Sequence, residues 1–388
     1  MKSKILAAAL AACFANPAAA DAVTDWNRRG SDLITEAKLG TPPAVRVMAV
    51  MQAAVCEAVE AAKGASAEAA VAAASRTTLV AMMPAQQSSI EAAYTNALAA
   101  IAEGRAKADG IAAGEKAAAA VLARRSGDAK LAGEQYRPHT AAGVYVPTML
   151  PAATQWPARK PWVMASAADF RPGPPPALTS EAWVRDFEEV KTLGAKASAR
   201  RTAEQSDIAR FWEYSLPAIY FGVVQSVADM PGRDIGRNAR LYMATAQAMD
   251  DALVAIFDAK YHYNFWRPVT AIRNADIDGN DATQRDASWT PFIDTPMHPE
   301  YPSGHSVLAG AVGAVLEAEI GSGTAALATT SPTAKNATRR WSSPAEFVRE
   351  VSDARIYAGI HYRSATQAGE SIGRKVGELA AATHMQKQ

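Results

Sequence analysis

Residues 42–61, PPAVRVMAVMQAAVCEAVEA, carry the pattern that decides the fold class of this 388-residue chain. Two prolines open the stretch, and Met48, Met51, Val55 and Val59 then recur at intervals of three or four residues. That spacing places apolar side chains on one face of a helix, and proline is tolerated in the first turn of a helix. The stretch therefore predicts a long helix with a buried face.

Alanine-rich stretches with few β-branched runs surround this helix, and they favour helix as well. We see no convincing alternating pattern of the kind that strands show. The sequence therefore predicts an all-α fold of two helical bundles packed side by side. Further helices are predicted at 66–83, 86–102, 105–125, 179–193, 202–214, 235–259, 304–320, 344–358 and 365–383.

A proline-rich stretch separates the two sets of helices. Residues 127–178 contain nine prolines, which favour an irregular connection. A connection of this length in a compact protein usually wraps the surface or shapes the mouth of a pocket. We therefore predict N-terminal helices over 21–126 and a second, catalytic helical half over 179–388.

The first twenty residues resemble a secretory signal peptide. Lys2 and Lys4 precede an apolar run at 5–14, and three alanines, 18–20, precede Asp21. This order of charge, apolar run and small residues is typical of a cleaved signal, and the run is too short to span a bilayer. The alternative is an alanine-rich first helix. Residues 1–20 therefore predict an exported protein, periplasmic or secreted.

The composition of the chain bears on which classes of binding partner to expect. Lys plus Arg number 40 and Asp plus Glu 39, so the whole chain shows no charge excess that would favour nucleic acid or a membrane surface. Cys13 would leave with the signal, so Cys56 would be the one remaining cysteine and would form no intramolecular disulfide. Its apolar helical surroundings favour a buried thiol. The oligomeric state, a homo-oligomer included, is not decided.

The first unusual polar segment is KYHYNFWRP, residues 260–268. Lys260 and Arg267 are seven residues apart, so on one continuous helix they would share a face. Pro268 would end that helix at Arg267. A solvated charge pair is the alternative, but the aromatic residues around Trp266 favour burial. Buried like charges require an anion between them.

The second segment is Pro302-Ser303-Gly304-His305, followed by an apolar helix. The first N–H groups of a helix are unpaired and address whatever lies at its N-terminus. Gly304 permits close approach of the backbone to a ligand, and the Ser303 hydroxyl adds a donor. The alternative is that Ser303 is an ordinary N-cap.

The third segment runs from Arg355 to His361. A good helix start at residues 343–346 places Arg355 in the last turns, with Gly359 as the stop and His361 in the loop that follows. A lone histidine is often only a buried core residue with its hydrogen bonds satisfied, but here four histidines occur within about a hundred residues. Three cations, a hydroxyl, backbone amides and two imidazoles make a donor set for a multiply charged tetrahedral oxyanion.

The three segments in this order, K-x6-R-P, P-S-G-H and R-x5-H, resemble the signature of a known superfamily. It comprises the vanadium-dependent haloperoxidases and the acid phosphatases related to type 2 phosphatidic acid phosphatases. Residues 42–61, 170–194 and 260–273 resemble the bacterial haloperoxidase-type members, so the resemblance extends over the whole mature chain. It implies an all-helical fold and a cage for vanadate or its isostere phosphate.

The resemblance also implies roles for individual residues. Lys260, Arg267 and Arg355 would neutralise the oxyanion, and Ser303 with the Gly304 amide would donate hydrogen bonds to its oxygens. His361 would bind the central atom, as a ligand to vanadium or as a nucleophile towards phosphorus. His305 would be the acid–base residue.

Two positions bear on the choice between the activities. The acid phosphatases usually carry an Asp four residues after the second histidine to orient its ring, but that position is Ala365, and Ser364 is expected to cap the last helix. An unoriented imidazole is a poorer nucleophile, unless a backbone carbonyl substitutes. His298 matches a histidine of algal bromoperoxidases, and with Trp266 it is a candidate for the surroundings of the halide; the alternative is a plain loop turn.

The predicted function is therefore a vanadate-dependent haloperoxidase that oxidises bromide or iodide with hydrogen peroxide. The alternative is a periplasmic acid phosphatase that hydrolyses phosphate esters through a phosphohistidine. A non-enzymatic oxyanion-binding protein is the third option, but two histidines in one cage exceed what binding alone needs. The halide and the organic acceptor are not decided.

Overall fold

The computed structural model describes residues 21–129 and 136–385. The predicted signal peptide, Cys13 included, lies outside the described residues. The elements, in chain order, are α1 (Ala22–Glu36), α2 (Thr41–Ala61), α3 (Ala67–Met82), α4 (Gln87–Ala99), α5 (Arg105–Arg125), α6 (Glu181–Leu193), α7 (Ala203–Phe211), α8 (Pro217–Ala228), α9 (Ile235–Tyr263), α10 (Pro268–Arg273), α11 (Gly304–Ile320), β1 (Leu327–Ser331), β2 (Ala337–Trp341), α12 (Pro344–Tyr357) and α13 (Arg363–His384).

The predicted helical fold is confirmed, and most predicted helices begin and end within a few residues of those observed. The sequence missed α8, α10 and the antiparallel hairpin of β1 and β2, in which Leu327 pairs with Trp341. These strands have five residues each. β1 alternates between buried and less buried positions, but two of its three buried residues are Thr329 and Ser331, and β2 buries only Trp341, so neither strand shows an alternation of apolar and polar residues in the sequence. None of the helices within 21–129 and 136–385 is long and apolar enough to cross a membrane.

Helix α9 is the central element of the core. It packs against α2 on the N-terminal side of the chain and against α11 and α13 on the C-terminal side. Twenty of its 29 residues are buried. Because α9 contributes to both sets of helices, one apolar core extends from Val23 to Ala380. The proposed division at 126 and 178 stays a prediction.

Helices α11 and α13 approach each other closely enough to require glycine. A Cβ atom on Gly369 would lie 2.5 Å from the Ser303 carbonyl oxygen, and one on Gly373 would lie 2.1 Å from that of Val307. Any side chain there would clash with backbone. The contact fixes the N-terminus of α11 against α13, and the second predicted site segment lies at that N-terminus.

The proline-rich connection is attached to α9 through a buried carboxylate. Asp251 accepts backbone hydrogen bonds from Trp162 at 2.7 Å, from Val163 at 2.8 Å and from Met164 at 3.1 Å. Burial raises the pKa of Asp251 to about 6, and the three amides oppose that shift. This residue therefore holds the connection on the helix that carries Lys260.

We expect Asp251→Ala to lower the free energy of unfolding by about 2–5 kcal/mol, because three buried amides lose their acceptor. The folded-state pKa lies above the ordinary value of 3.8, so the contribution of this carboxyl is complete below pH 4 and is lost as pH rises through 6. The loss in the variant should therefore be larger at pH 4.5 than at pH 7 in denaturant titrations. The exposed Asp207 is the control. Equal stability of Asp251→Ala and wild type would contradict the anchoring role.

Candidate oxyanion site

A sharp turn, and not a shared helix face, brings Lys260 and Arg267 together. Helix α9 ends at Tyr263, and Asn264 follows in the left-handed conformation with φ of 49° and donates its N–H to Lys260 O at 2.8 Å. Arg267 is extended and precedes α10. The prediction that both side chains lie on one continuous helix is therefore wrong, because the chain leaves the helix three residues before Arg267.

The connection pairs with the backbone of this turn. Tyr145 donates its N–H to Asn264 O at 2.8 Å, and Trp266 donates its N–H to Gly143 O at 3.0 Å. Residues 144 and 265 form an antiparallel bridge between these bonds. The turn before Arg267 is thus held by a segment more than a hundred residues earlier in the chain.

Lys260 is fully buried at the end of α9. Its Nζ donates to the carbonyl oxygens of Pro299 and Glu300, both at 2.8 Å. Burial lowers the pKa of Lys260 well below its ordinary value, and the nearby Arg267 lowers it further. A bound anion favours the protonated form, whose ammonium has three N–H donors, so one is then left for the ligand.

Arg267 is also fully buried, and its guanidinium is held in one orientation. Nε donates to His298 O at 3.0 Å, Nη1 donates to Ile360 O at 2.8 Å, and Nη1 lies 3.2 Å from His361 Nε2. Burial lowers the pKa of Arg267 to about 10, and the charge of Glu300 opposes this shift. Arg267 therefore remains a cation at neutral pH.

Arg355 occupies the last turn of α12 and is 2% exposed. Its Nη1 donates to Trp212 O, whereas its Nε is buried without a partner among the described residues. Burial lowers the pKa of Arg355 to about 10, so this side chain too keeps its charge at neutral pH. We refer to Lys260, Arg267 and Arg355 as the cage cations.

The cage cations differ from the other buried cations in their counterions. Arg46 bonds to Asp250 at 2.5 Å, and Lys107 bonds to Glu103 at 2.5 Å. Within the described part of the chain, no carboxylate oxygen lies within 4 Å of a cage cation. A cluster of buried charges without such a partner is costly unless an anion binds there.

Ser303 caps α11 at the edge of this cluster. Its Oγ accepts from Ser306, from the backbone N at 3.5 Å and from Oγ at 3.1 Å, so the ordinary N-cap role is present. Because Ser303 Oγ is the acceptor in both contacts, its own O–H remains a donor. Gly304 opens the helix, and no atom lies within 4 Å of the position where its Cβ would be. The cap and an anion-binding role are therefore compatible.

His305 lies in the first turn of α11, and its Nε2 is buried without a partner among the described residues. Burial lowers its pKa well below the ordinary value, the charges of Arg355, Arg267 and Lys260 add to this shift, and a hydrogen bond with the Tyr214 backbone opposes it. All three cage cations thus act on one unpaired imidazole nitrogen.

His361 lies next to Arg267 and is 2% exposed. Gly359 before it has φ of 79°, and a Cβ there would lie 2.3 Å from Gly194 O, so the turn requires glycine. Burial lowers the pKa of His361 well below its ordinary value, and the nearby charges add to that shift, with Arg267 the largest contributor. The histidine and the cage cations therefore share one buried site.

The sequence did not predict Glu300. Its Oε1 lies 2.7 Å from His361 Nδ1 and accepts the Tyr362 N–H at 3.0 Å. The ring is therefore oriented by a carboxylate, and the expectation of an unoriented imidazole is wrong, because the carboxylate comes from another segment. An acidic residue in the aromatic and proline-rich stretch 298–302 was the available signal, since such a residue is buried only with a partner.

The expected cap at Ser364 is also wrong. Helix α13 begins at Arg363, with Tyr362 before it and no side-chain cap. Ser364 donates its backbone N–H to Asp186 Oδ2 at 3.1 Å. An acceptor on α6 therefore replaces the cap.

The two candidates for the surroundings of the halide differ in their contacts. His298 Nδ1 is 3.0 Å from Arg267 Nη2, and its ring meets the edge of Phe257 at 5.5 Å. Trp266 stacks on Trp183 at 6.0 Å within a buried aromatic cluster. His298 thus contacts a cage cation directly, whereas the ring of Trp266 packs within the aromatic cluster.

Comparison with known proteins identifies the fold. Residues 240–388 match the family model described as the VCPO second helical-bundle domain. The structure of a bacterial vanadium-dependent iodoperoxidase aligns over 93% of this chain and 95% of its own, with a TM-score of 0.79 and 25% identity.

These similarities match the predicted superfamily of vanadium-dependent haloperoxidases and related acid phosphatases. Apo and holo structures of a bacterial vanadium-dependent chloroperoxidase, each 16% identical, also share the fold. The apo structure has a TM-score of 0.72 and aligns over 88% of this chain and 92% of its own. The holo structure has a TM-score of 0.71 and aligns over 90% of this chain and 93% of its own. A search of curated proteins found no significant match. The predicted superfamily is confirmed.

The buried polar atoms of this haloperoxidase-type site fit an oxyanion. Arg355 Nε and His305 Nε2 have no partner in the described residues, and no carboxylate oxygen of those residues lies within 4 Å of a cage cation, although the charge of Glu300 acts on Lys260 and Arg267 from farther away. Vanadate and phosphate each present four oxygens with several negative charges, which match charge-assisted N–H donors. The residues present therefore fit vanadate, with His361 available to the central atom.

Proposed function

We propose that the chain is a vanadate-dependent haloperoxidase that oxidises bromide or iodide with hydrogen peroxide. The observation that carries the proposal is the cluster of three buried basic side chains, beside two imidazoles, with no carboxylate oxygen of the described residues within 4 Å. Superfamily membership supports vanadate as the anion. Bound vanadate supplies the Lewis-acid centre that activates hydrogen peroxide towards halide.

The cage cations bind and neutralise the anion. Lys260 has one free N–H, and Arg355 has an unpaired Nε, so each can add a charge-assisted hydrogen bond without breaking an existing one. Ser303 and the Gly304 amide add donors at the N-terminus of α11. These donors are held by backbone contacts before the anion arrives, so little reorganisation is needed.

The two histidines have different tasks. His361 Nε2 accepts from Arg267, a pure donor, so this nitrogen carries its lone pair, and a bound central atom would take the place of the Arg267 N–H at that lone pair. His305 Nε2 has no partner among the described residues, and burial together with the neighbouring cations lowers the pKa of its ring, so the ring is neutral and Nε2 is available to accept a proton. A bound anion would favour the imidazolium and let His305 hold that proton.

The preference for bromide or iodide rests on two observations. The more similar of the compared structures is that of an iodoperoxidase, at 25% identity against 16% for the chloroperoxidase. His298 also adds an imidazole beside Arg267, and its burial with two nearby cations lowers its pKa, so it is neutral and polarisable.

The test uses one preparation of anion-free protein. We expect added vanadate to create peroxide-dependent oxidation of bromide and iodide, measured by halogenation of a dye and by triiodide absorbance. Phosphate should compete, because both anions bind the same cage. Absence of halide oxidation at every pH from 4 to 9 would refute the proposal.

An acid phosphatase is the second candidate, and one observation favours it. The objection from Ala365 no longer applies, because Glu300 orients His361 as a phosphohistidine mechanism requires. The same preparation is therefore assayed with an aryl phosphate. Fast hydrolysis without halide oxidation would establish this alternative, and anion binding without either activity would leave an oxyanion-binding protein.

A further inference from the structure

We propose that Glu300 is a positioning residue that fixes the tautomer of His361 and thereby aims the Nε2 lone pair at the bound oxyanion. The inference rests on the anion site proposed above, but not on which reaction occurs there. It assigns a task to a buried carboxylate that the sequence did not single out.

The contacts of His361 determine where its proton lies. Arg267 Nη1 carries two N–H groups; one is donated to Ile360 O at 2.8 Å, and the other faces His361 Nε2 at 3.2 Å. A guanidinium only donates, so Nε2 must accept. The ring proton therefore lies on Nδ1, which donates to Glu300 Oε1 at 2.7 Å.

Glu300 also fixes the direction of the ring. Its Oε1 accepts the Tyr362 N–H at 3.0 Å, so the carboxylate is tied to the residue after His361. The carbonyl oxygen of the same residue accepts Lys260 Nζ at 2.8 Å. The backbone of Glu300 thus holds Lys260, while its side chain orients the imidazole of His361.

A purely structural role fits these contacts less well. Glu300 is fully buried, yet its Oε2 has no partner in the described residues. Asp278, a buried carboxylate beside the same aromatic cluster, uses both oxygens: Oδ1 accepts from Asn280 N, and Oδ2 accepts from Trp183 Nε1 and Thr283 Oγ1. An acid retained for folding alone is expected to resemble Asp278, because unsatisfied buried acceptors are costly.

The decisive variant is Glu300→Gln, which keeps the shape and the backbone carbonyl that binds Lys260. A glutamine amide can either accept from Nδ1–H or donate to an unprotonated Nδ1, so it no longer selects one tautomer. Nitrogen-15 NMR of histidine-labelled, anion-free protein should show the Nδ1–H form of His361 in wild type and a mixture in the variant. The signal is assigned by its loss in His361→Gln.

Affinity gives the second readout. We expect the dissociation constants of vanadate and of inorganic phosphate to rise by about 10- to 100-fold in Glu300→Gln, the range seen when a partner of a metal-binding histidine is removed. Asp278→Asn is the matched control and should leave both the tautomer and the affinities as in wild type. Calorimetric titration measures all three proteins.

Each outcome has one meaning. An Nε2–H form of His361 in wild type overturns the inference even if the variant does not fold. Unchanged affinities in a folded Glu300→Gln, or an equal loss in Asp278→Asn, overturn it as well. If the predicted tautomer and affinities are found while wild type oxidises no halide, the haloperoxidase function fails and the role of Glu300 stands.

Discussion

Replacement of His361 by alanine is expected to abolish stoichiometric vanadate binding and to lower halide oxidation by on the order of 10³-fold or more, because it removes the nitrogen available to the central atom. The cage cations remain in the variant, so weak electrostatic attraction of anions should persist. Binding measured by calorimetry therefore separates the lost bond from the retained charge.

His384→Ala is the matched control for this experiment. His384 is a partly buried histidine on α13 whose Nε2 lies 2.8 Å from Gln247 Oε1. Its loss should leave vanadate affinity unchanged. Tight one-to-one vanadate binding by His361→Ala would show that another atom holds the anion, and the role given to His361 would be abandoned.

Arg355→Ala is expected to lose most of the stabilisation that an anion confers. A ligand that binds only the folded state stabilises it by about 2.7 kcal/mol at a hundredfold excess over the dissociation constant. Among the described residues, buried Arg355 bonds to one backbone oxygen and its Nε has no partner, so its contribution should appear when an anion binds. The measurement is the shift in melting temperature on adding vanadate, each protein being compared with its own anion-free form.

The control must be an arginine whose partners are already complete. Arg76 on α3 pairs with Glu91 on α4 through Nε at 3.0 Å and Nη2 at 2.6 Å, so Arg76→Ala should show the same vanadate-induced shift as wild type. A wild-type shift in Arg355→Ala would mean that this guanidinium does not touch the anion.

The local parts of the site could be predicted from the sequence. Ser303 and Gly304 precede an apolar helix, and Arg355 and Gly359 end another, so their placement depends on capping rules that act over a few residues. The end of α9 was missed because the residue in the left-handed conformation there is Asn264. A glycine at that position would have been the usual signal for the end of a helix.

The long-range contacts could not be predicted. Glu300 meets His361 across 61 residues, and Arg355 donates to a backbone oxygen of Trp212, which any residue at that position would supply. Every residue carries a backbone carbonyl oxygen, so the residue type does not reveal which carbonyl acts as an acceptor. The sequence therefore indicated which groups face the anion, but not which groups hold them in place.

Because of those backbone contacts, the site cannot be separated from the earlier part of the chain. The region that matches the family model, 240–388, contains every residue proposed to touch the anion. It lacks Trp212, whose carbonyl oxygen accepts from Arg355, and Tyr214, whose backbone bonds to His305. It also lacks Gly143 and Tyr145, whose backbones pair with the turn before Arg267. An excised 240–388 segment would thus keep the chemical groups and lose their arrangement. The region that the family model matches is therefore smaller than the unit that can work, because backbone groups of the earlier part of the chain hold the site residues in place.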